Sequence, residues 1–69
     1  MSNQIYKKIE LTGSSSKSTD EAIENAIKKA GESIHNLRWF EVVETGGHIV
    51  DNKVDHWQVT IKIGFTLDD

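Results

Sequence analysis

The chain has 69 residues, a formal net charge of −3 and no cysteine. At this length one domain spanning 1–69 is expected, and the missing thiols exclude disulfides and thiolate metal sites. The acidic balance argues against nucleic acid as a partner, and no apolar run approaches the roughly 20 residues that a membrane-spanning helix needs.

A domain this small buries only about 60% of the surface its unfolded chain exposes. Small chains compensate with disulfides, metal or association with other copies. His35, His48 and His56 are not spaced as a zinc motif, so no metal is expected and self-association is. Met1-Ser2-Asn3-Gln4 shows no basic segment followed by an apolar one, so no signal peptide and no membrane contact are expected. The cytoplasm is the expected compartment, in line with the absence of cysteine.

The first element is a strand over residues 4–12, with Ile5, Ile9 and Leu11 sharing one face and Tyr6, Lys8 and Glu10 the other. Gly13-Ser14-Ser15-Ser16-Lys17 reads as a loop of small polar residues. A helix is predicted over 18–34. Ser18 and Glu21 have capping-box spacing, and Asp20 and Glu21 suit the positive end of the helix dipole. Ala22, Ile23, Ala26, Ile27, Ala30 and Ile34 form its apolar stripe, and Glu24 precedes Lys28 by one turn. A stripe so rich in alanine suits close packing of the helix on a sheet.

A second strand is predicted from about Arg38 to Val50, with a bulge near Gly46-Gly47, and Asp51-Asn52-Lys53 forms a tight turn. The third strand runs from Val54 to Leu67. Trp57, Val59, Ile61, Ile63, Phe65 and Leu67 lie on one side, with His56, Gln58, Thr60, Lys62 and Thr66 on the other. The predicted class is therefore α+β: a β-α-β-β chain whose three-stranded antiparallel sheet packs on one helix. A single helix covers one face of such a sheet, and long edge strands leave backbone groups free to pair with other subunits.

Alternation sets Trp39 on the face opposite Phe40 and Val42. With Phe40 and Val42 in the core, Trp39 stands where a chain this short has nothing to cover it, together with Gln58 on the face away from the helix. An indole offers a flat apolar surface, and a primary amide offers a donor and an acceptor for the edge of a heteroaromatic ring. The pair suits half of a site for a planar ligand such as a flavin or nucleobase. A subunit interface suits Trp39 equally well, and the residue pattern leaves both open. Trp57 belongs to core packing. His48 and His56 flank the turn, where a metal or an anionic group could bind but solvated side chains are the expectation, and His35 suits a local role at the helix C-terminus.

No catalytic constellation is expected. Glu41 and Glu44 are read as pointing to opposite faces, which makes them a poor acid/base pair. Ser14, Ser15 and Ser16 have no identifiable histidine and acid partners, and the loop before the helix lacks the lysine pattern of a nucleotide-binding loop.

Three further blocks accompany the helical stretch Ala22 to Ala30. They are Tyr6-Lys7-Lys8-Ile9-Glu10-Leu11-Thr12-Gly13-Ser14-Ser15, Leu37-Arg38-Trp39-Phe40-Glu41-Val42-Val43-Glu44 and His56-Trp57-Gln58-Val59-Thr60-Ile61-Lys62-Ile63-Gly64-Phe65. Over nearly its whole length the chain resembles the dodecins, a family of small flavin-binding proteins. The resemblance implies a hollow homododecamer of cubic symmetry, with flavins bound as stacked pairs between protomers. A tryptophan matching Trp39 would stack on the isoalloxazine ring and a glutamine matching Gln58 would bond its edge, with His48 and Arg38 completing the ligand-binding set. The implied ligands are FMN, riboflavin and lumichrome, and the implied role is storage and quenching of flavin photochemistry rather than catalysis. Thr66 departs from the arginine that many bacterial members carry after Gly-Phe, which removes a natural partner for a ligand phosphate. The alternative is a structural homo-oligomeric shell that binds ions or another ligand, such as coenzyme A, without a flavin role.

Overall fold

The computed structural model describes residues 3–67. The elements follow in the order β1 (Tyr6–Ser15), α1 (Thr19–Gly31), β2 (Leu37–Val50) and β3 (Lys53–Thr66). They form one three-stranded sheet in the order β1-β3-β2, with β3 antiparallel to both neighbours. This is the α+β arrangement expected from the alternation. β3 is central, and its Val59, Ile61 and Ile63 are fully buried.

The core is a thin layer between β3 and α1. Ala22, Ala26 and Ala30 meet Val59, Ile61 and Ile63, and Ile9, Leu11, Ile23, Ile27 and Leu37 pack around them. Methyl-sized side chains let the helix axis approach the sheet closely, and the approach is tightest at Gly13. A Cβ there would overlap the carbonyl oxygen of Ala22 and sit 2.8 Å from the Ala26 Cβ. Gly13, Ser14 and Ser15 consequently belong to β1, paired with Val59, Gln58 and Trp57, and not to a loop as their composition suggested. The buried Ser15 hydroxyl then accepts hydrogen bonds from the backbone N–H groups of Lys17 (2.9 Å) and Ser18 (3.3 Å), organising the turn into the helix. Asn25 donates from Nδ2 to the Ser14 carbonyl (3.0 Å), tying α1 to the end of β1.

Ser18 is the N-cap: its extended backbone leads into the helix and its Oγ accepts from the Glu21 N–H at 3.0 Å. Replacing it with alanine leaves that N–H without its partner, so Ser18→Ala is expected to lower stability by about 1 kcal/mol. Chemical denaturation at fixed protein concentration reads this directly. The helix ends at Gly31, three residues short of the expected Ile34, and Glu32 forms its C-cap. The turn continues through Ser33, and the Ile34 N–H still bonds to the Ala30 carbonyl at 3.0 Å. His35 lies beyond the cap. Asn36, at φ 66°, then turns the chain into β2.

β2 and β3 form a long hairpin closed by Asp51 and Asn52, both at positive φ (53° and 64°). That pair of left-handed residues is the twist-matched two-residue hairpin turn. The chain measures 55 × 20 × 13 Å, and its length comes from this hairpin. The register shifts fall between Leu37 and Trp39, Val42 and Glu44, and His48 and Ile49. Gly46 and Gly47 are in register with Gln58 and Trp57, so the bulge expected at the two glycines lies elsewhere. Gly47 instead admits the His56 carbonyl, which would stand 2.6 Å from a Cβ at that position.

Two expectations about β2 are corrected. Phe40 and Val42 lie opposite Ile63 and Ile61, on the helix side, yet they are 44% and 49% exposed. The helix covers β1 and β3 and leaves β2 beyond Leu37 exposed. The shift at Val43 also places Glu44 opposite Thr60 and Glu41 opposite Lys62. Both glutamates thus share the face away from the helix, because one extra residue restores the side that simple alternation would reverse.

Candidate ligand site on the bare face of the sheet

The face opposite the helix carries two separate groups of side chains. At one end, Trp39 sits opposite Gly64 and its indole lies across that glycine, so closely that a Cβ there would overlap the ring. Tyr6, reaching over from β1, meets the indole edge-on with ring centroids 5.1 Å apart. Trp39 therefore has more cover within its own chain than expected: a glycine floor and a tyrosine edge. It remains 40% exposed. Gly64 and Tyr6 were not among the expected site residues. The signal was nonetheless present, since a glycine inside a strand of β-branched residues marks a close approach. Arg38 is the extra residue at the shift between Leu37 and Trp39, exposed beside the indole.

Towards the turn, Gln58 lies opposite Gly46 and lines a shallow polar hollow with Thr12, Glu44, Gly46, Gly47 and Thr60. The glycines keep that hollow open, and the Thr12 and Thr60 hydroxyls are bonded to each other at 2.8 Å. His48 follows, opposite His56. The expected site residues thus fall into two clusters, Trp39 with Arg38 and Gln58 with His48. Trp39 and Gln58 share a face as expected. They are not brought together: Gln58 is six residues from Gly64 along β3, about 20 Å at the strand rise.

Between the clusters runs a charged band. Lys8 on β1 forms an ion pair with Glu41 on β2 across the central strand, near Lys62. The Lys8 ammonium, through its hydrogen bond and then its charge, holds the Glu41 carboxyl below the ordinary glutamate value of 4.5, against an opposing desolvation and with a lesser contribution from Lys62. A depressed carboxyl stabilises the fold when ionised. That contribution is present above the ordinary value and is lost as acid protonates Glu41. Glu41→Gln is accordingly expected to be less stable than the parent at pH 7, with the difference shrinking as the pH falls below the ordinary glutamate value. Thermal midpoints across that range check this.

The comparisons with known proteins agree with this architecture. A family model described as Dodecin matches residues 5–68. The curated dodecin of Thermus thermophilus is 38% identical over 66 residues, 96% of each chain. The solved dodecin of Streptomyces davaonensis superposes with a TM-score of 0.94 at 47% identity, covering 99% of this chain and 100% of that one. The Streptomyces coelicolor dodecin gives 0.95 at 42% identity, covering 100% and 99%. Sequence, element order and sheet topology converge over the whole chain: this protein belongs to the dodecin family.

Proposed function

We propose that this protein stores and sequesters flavin, binding the isoalloxazine ring between copies of the chain and quenching its photochemistry without catalysing a reaction. The observation that carries this is the Trp39 indole, held flat on the backbone of Gly64 by Tyr6 and still 40% exposed. An aromatic plane so supported is pre-organised to stack on a second plane. The separation of Trp39 from Gln58 supports a site shared between copies, since one ring system cannot span about 20 Å. A neighbouring subunit's Gln58 then bonds the edge of the flavin that Trp39 stacks on. Arg38 and His48 flank the two halves, and FMN, riboflavin and lumichrome are the ligand set.

Self-association also answers the exposure of β2. Phe40, Val42, Val43, Ile49 and Val50 are each at least 44% exposed, and exposed apolar side chains gathered along one strand suit an interaction surface. Burial of this strand between copies supports a homododecamer, with the cytoplasm as its compartment. No helix among the described residues is long and apolar enough to cross a membrane.

The test is direct. Light scattering should give twelve times the 7.8 kDa chain mass, and the absorption and mass spectra of ligand released by denaturation should identify a flavin. Added riboflavin should lose its fluorescence on titration with flavin-free protein. If micromolar protein leaves both riboflavin and FMN fluorescence unchanged, the flavin role fails and a structural shell stands in its place.

A further inference from the structure

The hairpin end carries a feature beyond the proposed flavin site, which His48 flanks. His48 and His56 are directly opposite on β2 and β3, and their rings stack with centroids 4.6 Å apart at an interplanar angle of 19°. His56 is further bonded through Nδ1 to the Asp55 Oδ2 at 2.7 Å. A carboxylate on Nδ1 fixes that nitrogen as the donor and leaves the Nε2 lone pair of His56 available to a metal, the orienting contact that metal-binding histidines regularly have. The stacked rings keep their lone pairs in near-parallel planes, so chelation requires the two side chains to rotate out of the stack until their nitrogens stand ~3 Å apart, the separation that two ligands at about 2.0–2.1 Å from one ion require.

We propose that His48 and His56 form a bidentate site for a late first-row divalent cation, copper(II) foremost, with Asp55 as the positioning residue that orients His56. Imidazole suits copper, nickel and zinc, and a site of given ligands favours copper most among these. Among the described residues no group of three or more His, Cys, Asp or Glu side chains is placed to hold a metal ion. The protein therefore supplies two ligands and water completes the shell, an open coordination that a tetragonal copper(II) ion accepts. The His56 ring is partly sheltered and the Asp55 carboxylate about half exposed (30% and 53%), so the ion reaches the pair from solvent. The hairpin strands hold the two rings in register before binding, and this pre-organisation reduces the ordering cost of chelation.

The experiment titrates purified flavin-free protein with copper(II), following binding by calorimetry and the bound ion by electron paramagnetic resonance. One copper per chain with two coordinated nitrogens is expected, with weaker binding of nickel and zinc. His56→Gln should lose one coordinated nitrogen and bind at least tenfold more weakly. Asp55→Asn, which keeps both rings, should weaken binding roughly tenfold through loss of the orienting carboxylate. His35→Gln, outside the hairpin, should change nothing. Copper binding that persists unchanged in His56→Gln, that is removed by His35→Gln, or that is absent from the parent protein below millimolar copper overturns the proposal.

Discussion

Trp39→Ala is expected to abolish the quenching of flavin fluorescence and to weaken flavin binding by roughly ten- to hundredfold. The estimate follows from the stacking of a heteroaromatic ring on an aromatic side chain, about 1–3 kcal/mol by alanine substitution, with 1.4 kcal/mol equal to a factor of ten. Quenching should fall further than affinity, because the indole is also the electron donor to the excited ring. Trp39→Phe separates the two effects: it keeps an aromatic plane over Gly64 while lacking the readily oxidised indole, so more affinity than quenching should survive. Trp39 is half-exposed and lies outside the buried core, so the fold should tolerate both changes. Titration of riboflavin at fixed protein concentration, read by fluorescence and by absorbance, distinguishes them. Unchanged affinity and quenching in Trp39→Ala would assign the residue to a subunit interface instead.

The largest effect on stability is expected at a residue with no side chain. Gly13→Val places a branched group where even a single Cβ overlaps the Ala22 carbonyl oxygen and crowds the Ala26 methyl at 2.8 Å. The first of these neighbours is helix backbone, which cannot rotate away, so α1 must lift from the sheet along its alanine stripe. Overpacking of this kind costs about 1–3 kcal/mol, and more where backbone must move. A domain of this length has on the order of 3–10 kcal/mol of total stability. Gly13→Val should therefore lower the denaturation midpoint sharply or prevent accumulation of folded protein. Gly46→Ala is the matched control. Nothing lies within 4 Å of a Cβ there, and stability should change by less than about 0.5 kcal/mol. Protein concentration must be held constant, since association contributes to apparent stability. Equal midpoints for Gly13→Val and the parent would remove Gly13 as the point of closest helix–sheet approach.

These two positions also show where the sequence is easy to read and where it is not. Period-two alternation in β3 is sustained from His56 to Thr66, so the buried side chains Val59, Ile61 and Ile63 could be named in advance. The alanine stripe and the Ser18 cap likewise identified the helix and its start. Gly13-Ser14-Ser15 misled because small polar residues in a row usually signal a loop. Here their smallness serves contact with α1, and the hydrogen bonds to the Ser15 hydroxyl serve the turn that follows. Along β2, alternation failed after Val43, since a one-residue shift in register reverses every later assignment. Nothing in a run of Val42-Val43-Glu44 says which of the two valines is the extra one.

The site was legible as a list and not as a place. A tryptophan and a glutamine with matching side-chain parity are visible in the chain, and the family resemblance gave them roles. That they lie at opposite ends of one face, with the Lys8–Glu41 ion pair between them, follows only from the strand pairing. Sequence alone determined the β-α-β-β order, the antiparallel sheet, the face of β3 that meets the helix and the family, because each rests on local periodicity or on contiguous motifs. The tertiary structure decided that the helix covers β1 and β3 while β2 beyond Leu37 stays exposed, that Gly64 and Tyr6 carry the Trp39 indole, and that His48 stacks on His56. Those outcomes depend on which residues of distant segments come to lie opposite one another, a matter of register and closest approach that no local pattern encodes.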